Sequence, residues 1–437
     1  MNNIFIIADD LTGAADTGVQ FCPFFEDTIL VSYQKLERIL NPCPTPTSQA
    51  TAVYTNSRAL ATEAAQNRLV YVAQKLGAKQ PLWLYKKIDS CMRGNVGSEV
   101  DALLDALGYE VSFITPAFPE LGRTTENDIH RVHGIPLDQT EISRDPITPV
   151  KESHLTRIVQ SKSKYPVGHV AAAYLNGTDT ALQAEIDRQV RRSCRHLVFD
   201  AVYRHHLDRI ARLVYSYPGK VLPVGSAGLA GSLTEPLSPS KKAVRADPIN
   251  ESAGSNLLVC GTASGITRRQ IDKLLEKHAY EFIQLSPVML ADQNPSSDFL
   301  QAMSATRSSL LKRNVVLAIA PQQNSRCTSR SANFQQAPES IVAGLGFFVA
   351  EVVAAAKPRN LFLTGGDTAD AVLTAIKAGG VLIKGEVAAG MVQGQLFEGP
   401  LDGFPVVTKA GAFGGEDTLV VLHEYWRKKV EQAGVQG

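Results

Sequence analysis

The chain has 437 residues, of which 44% are hydrophobic, and its 44 Lys and Arg nearly balance 43 Asp and Glu for a formal charge of +1. Domains run at roughly 100–200 residues, so a chain of this length is expected to form two or three. A balanced charge gives no basic excess for gripping nucleic acid or an anionic membrane, and neither is expected as a partner.

In the first half, apolar runs predict strands at Ile4–Ala8, Ala52–Thr55, Leu82–Ile88, Val111–Thr115, Leu197–Asp200 and Val221–Val224. In the second half they predict strands at Leu257–Cys260, Val315–Ala320, Leu361–Thr364 and Val406–Thr408. Continuous apolar runs this short suit strands buried on both faces of a parallel sheet. Helical periodicity lies between them at Ala61–Leu76, Leu182–Arg192, Thr267–His278 and Thr368–Ala378. The alternation reads as α/β: two domains, each with a mainly parallel sheet flanked by helices, and a cleft between them. The polar stretch Ser238–Asn256, with Pro239 and Pro248 and no apolar periodicity, has linker chemistry. The expected division is therefore 1–238, a linker at 239–256, and 257–437. Thr115–Pro149 is rich in Pro and polar residues and reads as a long irregular segment, packed through Phe118 and Ile135.

Six scattered cysteines (Cys22, Cys43, Cys91, Cys194, Cys260, Cys327) form no CxxC pair, which argues against a disulfide framework or structural zinc. The N-terminus lacks the basic and apolar regions of a signal peptide. No apolar run is expected to approach the roughly 18 residues of a membrane span, and a cytoplasmic location follows as an expectation.

Ligands of parallel α/β sheets bind beyond the carboxyl ends of the strands. The first strand ends in Asp9-Asp10 and runs into Leu11-Thr12-Gly13-Ala14-Ala15, small residues that let a helix start close to a ligand. One Asp can cap that helix; a pair also suits a site where a carboxylate accepts bonds from hydroxyls or takes a proton. Other strand ends carry Asn56-Ser57-Arg58 and Lys86-Lys87-Ile88-Asp89-Ser90, followed by Arg93-Gly94-Asn95. Arg58 and Arg93 are natural forks for a carboxylate. So many charges at strand ends are costly to bury without a function, although solvated turns joined by salt bridges would also account for them. The pair His130 and His133 has no third ligand at metal-binding spacing.

In the second half the strand ends become glycine-rich: Gly261-Thr262-Ala263-Ser264-Gly265, Gly365-Gly366-Asp367-Thr368 and Lys409-Ala410-Gly411-Ala412-Phe413-Gly414. Glycine lets main-chain N–H groups approach an anion, and a following helix adds its dipole. Asp367 has the chemistry to hold a magnesium ion or orient a ribose or water. Three such turns in one domain point to nucleotide phosphates, yet neither GxxxxGK[ST] nor GxGxxG is present.

Taken together, IIADDLTGAAD, TNSR, KKIDSCMRGN, TPAFPELGRTT, GSAGLA, GTASGIT, LTGGDTA and TKAGAFG resemble, in order from about Ile4 to about Val421, the four-carbon acid sugar kinase family, formerly a domain of unknown function. The resemblance implies a sugar-acid-binding N-terminal domain and a nucleotide-binding C-terminal domain. It also implies ATP-dependent phosphorylation of a four-carbon acid at its terminal hydroxyl, with Mg²⁺ on the ATP phosphates. The branch it most resembles is D-threonate kinase; D-erythronate and 3-oxo-tetronate kinases are the alternatives. Carried over by position, the substrate site comprises Asp10, Arg58, Lys86, Lys87, Ile88 and Asp89, joined by Arg93. The nucleotide site comprises Ser264, Gly365, Gly366, Asp367, Thr368, Gly411, Ala412, Phe413 and Gly414. The chain departs from the family at Ile88 (often Thr), at Cys91-Met92 (Ser or Thr-Leu), and at Gly411-Ala412, where two glycines are common.

The expected chemistry is in-line transfer of the γ-phosphoryl group, governed by positioning and charge, with Asp10 or Asp89 orienting or deprotonating the hydroxyl. Substrate and nucleotide on separate domains imply hinge closure. A nucleotide-dependent oxidoreductase would carry the fingerprint that is missing here, and a non-catalytic sugar-acid sensor would not need the three glycine loops. A homodimer is the base-rate expectation for assembly.

Overall fold

The structure is a computed structural model that describes residues 3–40, 48–77, 83–145, 147–239, 254–262, 264–292, 296–320, 338–411 and 413–434. The chain forms two compact units, Met1–Ala243 and Val244–Gly437. Of the expected linker at 239–256, residues 240–253 lie outside the described residues.

The N-terminal unit contains β1 (Asn3–Ala8), β2 (Asp27–Ser32), β3 (Gln49–Tyr54), β4 (Leu84–Lys87), β5 (Val111–Thr115), β6 (Arg123–Glu126), β7 (Ile129–Val132), β8 (Ile135–Pro136), β9 (Val167–Val170), β10 (His196–Phe199) and β11 (Val221–Gly225). Eight of them form a sheet in the order β2-β3-β1-β4-β11-β5-β10-β9, and every pairing in it is parallel. Strands buried on both faces need apolar residues throughout: Ile4, Ile6, Ile7, Val53, Phe113, Ile114, Leu197 and Leu222 are all inaccessible. After β1 the chain turns toward β2 and β3 on one side; after β4 it turns to β5 on the other. The neighbours β1 and β4 therefore flank a topological switch point, where crevices form at the carboxyl ends of parallel strands. Ala8 lies level with Tyr54 of β3 and Lys87 of β4, so the loops after these strands begin at one height.

The expected irregular stretch at Thr115–Pro149 holds a three-stranded antiparallel sheet, β6-β7-β8. Its first turn is Asn127-Asp128, with φ of 52° and 66°. Two consecutive positive φ values make the turn type that matches the twist of a hairpin, and Asn and Asp tolerate them best after Gly. The segment reads as irregular because each strand is only two to four residues long.

The C-terminal unit contains β12 (Asn256–Cys260), β13 (Tyr280–Leu285), β14 (Asn314–Ile319), β15 (Asn360–Thr364), β16 (Gly380–Ala388), β17 (Met391–Phe397) and β18 (Pro405–Lys409). They are ordered β13-β14-β12-β15-β18-β17-β16. The first five are parallel, and β17 and β16 add antiparallel strands at the β18 side. Leu258, Leu274, Val316, Phe362, Leu419, Leu422 and Trp426 form a core between the sheet and the helices Gly265–Lys277 and Thr418–Gly434. Against expectation, the helix Pro338–Ala356 has an 18-residue window of mean hydropathy 1.7, long and apolar enough by composition to cross a bilayer. One face of it is domain core, since Leu345, Phe348, Val349, Val352 and Val353 are buried.

Candidate active site

At the switch point, main-chain bonds first tie the loops together. Thr55 N donates to the Ala8 carbonyl and Ser57 N to the Asp9 carbonyl, both at 3.0 Å. Asp10 caps the helix Leu11–Phe21 with extended backbone (φ −141°, ψ 162°), and its Oδ1 accepts from Gly13 N at 3.0 Å. The helix-capping role open to one Asp of the pair is thus taken by Asp10.

Arg58 joins the carboxylates. Its Nε donates to Asp9 Oδ2 at 2.7 Å, and its Nη2 donates to Asp9 Oδ1 at 3.0 Å and to Asp10 Oδ1 at 2.7 Å. Asp89 Oδ1 lies 3.8 Å from the same Nη2. Arg93 forks onto Asp89 through Nε and Nη2, both at 2.9 Å, and reaches Asp145 at 3.3 Å. Lys87 donates to the Ile88 carbonyl at 2.8 Å. A Cβ on Gly13 would fall 2.4 Å from Asp10 Oδ1 and 2.9 Å from Lys87 Nζ, so a side chain there would displace the ends of both. Burial alone would raise the pKa of Asp9, but the charge and hydrogen bonds of Arg58 outweigh it and hold that carboxyl below the usual range. Asp89 is held well below that range too: burial pushes it up, and the Arg93 and Arg58 charges overcome it.

The two aspartates raised as candidate bases differ in what they have left to offer. Asp89 Oδ2 accepts from Cys91 N, Arg93 N and Arg93 Nε while Oδ1 takes Arg93 Nη2, which uses most of its capacity. Asp10 Oδ2 accepts one described bond, from Thr12 Oγ1 at 2.7 Å, and its side chain is 15% exposed against 4% for Asp9.

Lys86 turns to the opposite face of the sheet from Lys87, as strand alternation dictates. Fully buried, it pairs with Glu99 at 2.7 Å and donates to the Lys87 carbonyl at 3.1 Å. Glu99 also accepts from Ser57 Oγ at 2.5 Å, and Ser57 Oγ lies 2.8 Å from Thr55 Oγ1. Lys86 thus fixes the loop that carries Arg58. Ile88 is likewise buried, its N–H bonded to the Gly225 carbonyl at 2.9 Å. Nothing in the sequence marks Glu99, a helical Glu whose buried partner Lys86 lies on the preceding strand.

His130 is a strut. Its Nδ1 lies 2.8 Å from Thr125 Oγ1 and its Nε2 lies 2.8 Å from the Ser90 carbonyl, which therefore accepts from an Nε2–H. The hairpin in this way clamps the Asp89–Arg93 turn, and both ring nitrogens are committed to hydrogen bonds rather than to a metal. Burial lowers the pKa of His130 to about 4. The unfolded chain takes up a proton between pH 6.5 and 4 that the fold refuses, so this contribution is complete above pH 6.5 and lost as pH falls toward 4. At about 1.4 kcal/mol per tenfold in proton affinity it amounts to about 3 kcal/mol. Urea denaturation at pH 7 and pH 4.5 is expected to show a smaller loss of stability in His130→Gln than in the parent; equal losses would contradict the assignment.

In the C-terminal unit three turns meet. Gly365 has φ 100°, a conformation that favours glycine, and it precedes the helix Gly366–Ala375. A Cβ on Gly261 would fall 2.1 Å from Thr368 Oγ1, and one on Gly411 2.5 Å from Thr262 Oγ1. The glycines thus allow the three loops to pack edge to edge. Thr368 is buried among them, while Asp367 is exposed in the first helical turn. Ser264 precedes the helix Gly265–Lys277, and its side chain makes no capping bond. Gly414 has φ 84°, and Phe413 packs on the Gly390 turn, where a Cβ would come within 2.6 Å of its ring. Ala412 lies outside the described residues.

Two domain families match the chain: a sugar-binding N-terminal domain over residues 4–233 and a nucleotide-binding C-terminal domain over residues 257–419. The chain is 31% identical over 431 residues to a D-threonate kinase of Salmonella typhimurium, covering 95% of this chain and 96% of that one. It is 29% identical to a D-erythronate kinase of Heliobacterium modesticaldum (98% and 98%) and 25% identical to a 3-oxo-tetronate kinase of Methylobacterium radiotolerans (94% and 96%). A Haemophilus influenzae protein of a family of unknown function shares the fold, with TM-score 0.68 at 23% identity over 98% of this chain and all of that one. These matches define the class, a sugar-binding domain joined to a nucleotide-binding domain. The chain belongs to the four-carbon acid sugar kinase family.

Proposed function

We propose that the protein transfers the γ-phosphoryl group of ATP to the terminal C4 hydroxyl of a four-carbon sugar acid, D-threonate by preference. The observation that carries this reading is the switch-point constellation, in which Arg58, Lys87 and Arg93 are interleaved with Asp9, Asp10 and Asp89 in the sugar-binding domain. The preference for D-threonate draws on the 31% identity to a D-threonate kinase.

Asp10 is the group that orients the hydroxyl and receives its proton, because Oδ2 keeps acceptor capacity and some exposure. Asp89, saturated by Arg93, holds the arginines in place. Lys87 and Arg58 stabilise negative charge as it develops, and both are positioned before the substrate arrives. Lys86 and Ile88 shape the loops from behind. In the C-terminal domain Ser264 and the turns 365–368 and 411–414 take the phosphates. Asp367, an exposed carboxylate in the first turn of a helix, is a hard oxygen donor that would hold Mg²⁺, which would neutralise phosphate charge when bound with ATP. Proton transfer by a positioned carboxylate contributes roughly 10²–10⁴-fold.

ADP release is the readout, measured with D-threonate, D-erythronate and 3-oxo-tetronate. D-Threonate is expected to give the highest kcat/KM. Asp10→Asn is expected to lower kcat by about 10²-fold or more while leaving the KM for ATP unchanged. Turnover with none of the three acids, by protein that binds ATP, would sink the reading.

A further inference from the structure

The loop after β18 is unusual in where its carbonyl groups point. Lys409, only 1% exposed, donates from Nζ to the carbonyls of Ala410 at 2.9 Å, Phe413 at 3.1 Å and Gly411 at 3.4 Å. Two side chains from the helix Gly265–Lys277 bond the same loop. Thr267 Oγ1 donates to the Gly411 carbonyl at 2.7 Å, and Gln270 Nε2 donates to the carbonyls of Phe413 at 3.0 Å and Gly415 at 2.9 Å. All four described carbonyls of the loop from Ala410 to Gly415 that these groups reach are therefore drawn inward.

In a trans peptide the carbonyl and the following N–H point in opposite directions. Inward carbonyls at 410, 413 and 415 turn the N–H groups of Gly411, Gly414 and Glu416 outward. Among the described residues, none of these three N–H groups finds an acceptor. Outward N–H groups without an acceptor suit an anion, here on a loop next to the turns at Gly261 and Gly365. Gly365 N donates to the Lys409 carbonyl at 2.9 Å, which links the two turns directly.

We propose that Lys409 and Gln270 are positioning residues for the nucleotide triphosphate, holding the carbonyls of Ala410, Phe413 and Gly415 inward so that the main-chain N–H groups of Gly411, Gly414 and Glu416 face phosphate. The inference rests on the nucleotide reading of this domain and names how the phosphates are gripped. Lys409 acts from beneath the loop, with no surface from which to touch the ligand. This differs from a glycine-rich loop whose lysine reaches out to the phosphates.

Calorimetric titration of the full chain with ATP, inorganic tripolyphosphate and adenosine separates this role from a general structural one. Lys409→Met is expected to weaken ATP and tripolyphosphate by about 30-fold, because three hydrogen bonds from a charged donor to the loop are lost together. Adenosine affinity should stay within about twofold, because no base or ribose contact is removed. ATP bound with parental affinity would overturn the inference, as would equal weakening of ATP and adenosine. Should Lys409→Met fail to fold, Gln270→Met removes the bonds to the Phe413 and Gly415 carbonyls with a side chain of similar length. It is expected to weaken tripolyphosphate by about 3–10-fold, and an unchanged affinity would equally overturn the inference. A parent protein that binds no ATP would instead overturn the functional reading.

Discussion

Arg58→Ala is expected to lower kcat/KM for the sugar acid by about 10³-fold and to destabilise the N-terminal domain by about 3–5 kcal/mol. Both effects follow from a single guanidinium that bonds Asp9 twice and Asp10 once, with Asp89 at 3.8 Å. Removing it leaves Asp9 buried with no partner for its charge, and three carboxylates then repel one another across the switch point. Arg58→Lys restores a charge but not the fork, since one ammonium cannot hold two carboxylates in a plane. It is expected to recover part of the stability and little of the activity. Affinity for ATP should not change, because the glycine turns lie in the other domain. Urea denaturation and steady-state kinetics on both variants check this, and an Arg58→Ala protein of parental stability would contradict it.

The second large effect concerns a buried ion pair behind the switch point. Lys86 and Glu99 are fully buried and bonded at 2.7 Å. Removal of one partner strands the other in a low-dielectric interior, so Lys86→Met alone is expected to cost about 3–5 kcal/mol. Glu99→Gln alone should cost less, because the amide keeps a bond to Ser57 while the lysine retains the Lys87 carbonyl. The double variant Lys86→Met/Glu99→Gln has no charge left to strand and is expected to be more stable than Lys86→Met by about 2 kcal/mol. Strict additivity of the two single effects would show that the pair is not coupled. Activity is a second readout: the Ser57 bond orients the loop bearing Arg58, so kcat should fall even where the fold survives.

Much of this was legible in the sequence, for identifiable reasons. Buried parallel strands are continuous apolar runs, so β1, β5, β12 and β15 announce themselves, and the charged residues directly after β1 and β4 mark the switch point. Other elements were hidden. β13 alternates half-buried and exposed residues, and β16 and β17 are interrupted by bulges near Ile383 and Glu386, which breaks any simple period. The hairpin at 123–136 rests on an Asn-Asp turn rather than Asn-Gly, and its strands are very short. In the site, spacing alone made Lys86 and Lys87 look like twins. Only the pleat of β4 sends one to Glu99 and the other toward the Gly13 turn. Asp10 and Asp89 looked equivalent as well, until the contacts of Arg93 distinguished them. Lys409 stood in the sequence as one basic residue beside a glycine loop, and its role depends on three carbonyls that no periodicity encodes.

The most direct test of the account is the position of the transferred phosphate. The protein is incubated with ATP, Mg²⁺ and D-threonate, and the product is examined by ³¹P NMR without proton decoupling. Transfer to C4 predicts one new phosphomonoester resonance, split into a triplet by the two protons on the terminal carbon, growing in step with ADP. A doublet, which reports phosphate on a methine carbon, or the release of inorganic phosphate with no ester signal would contradict the account.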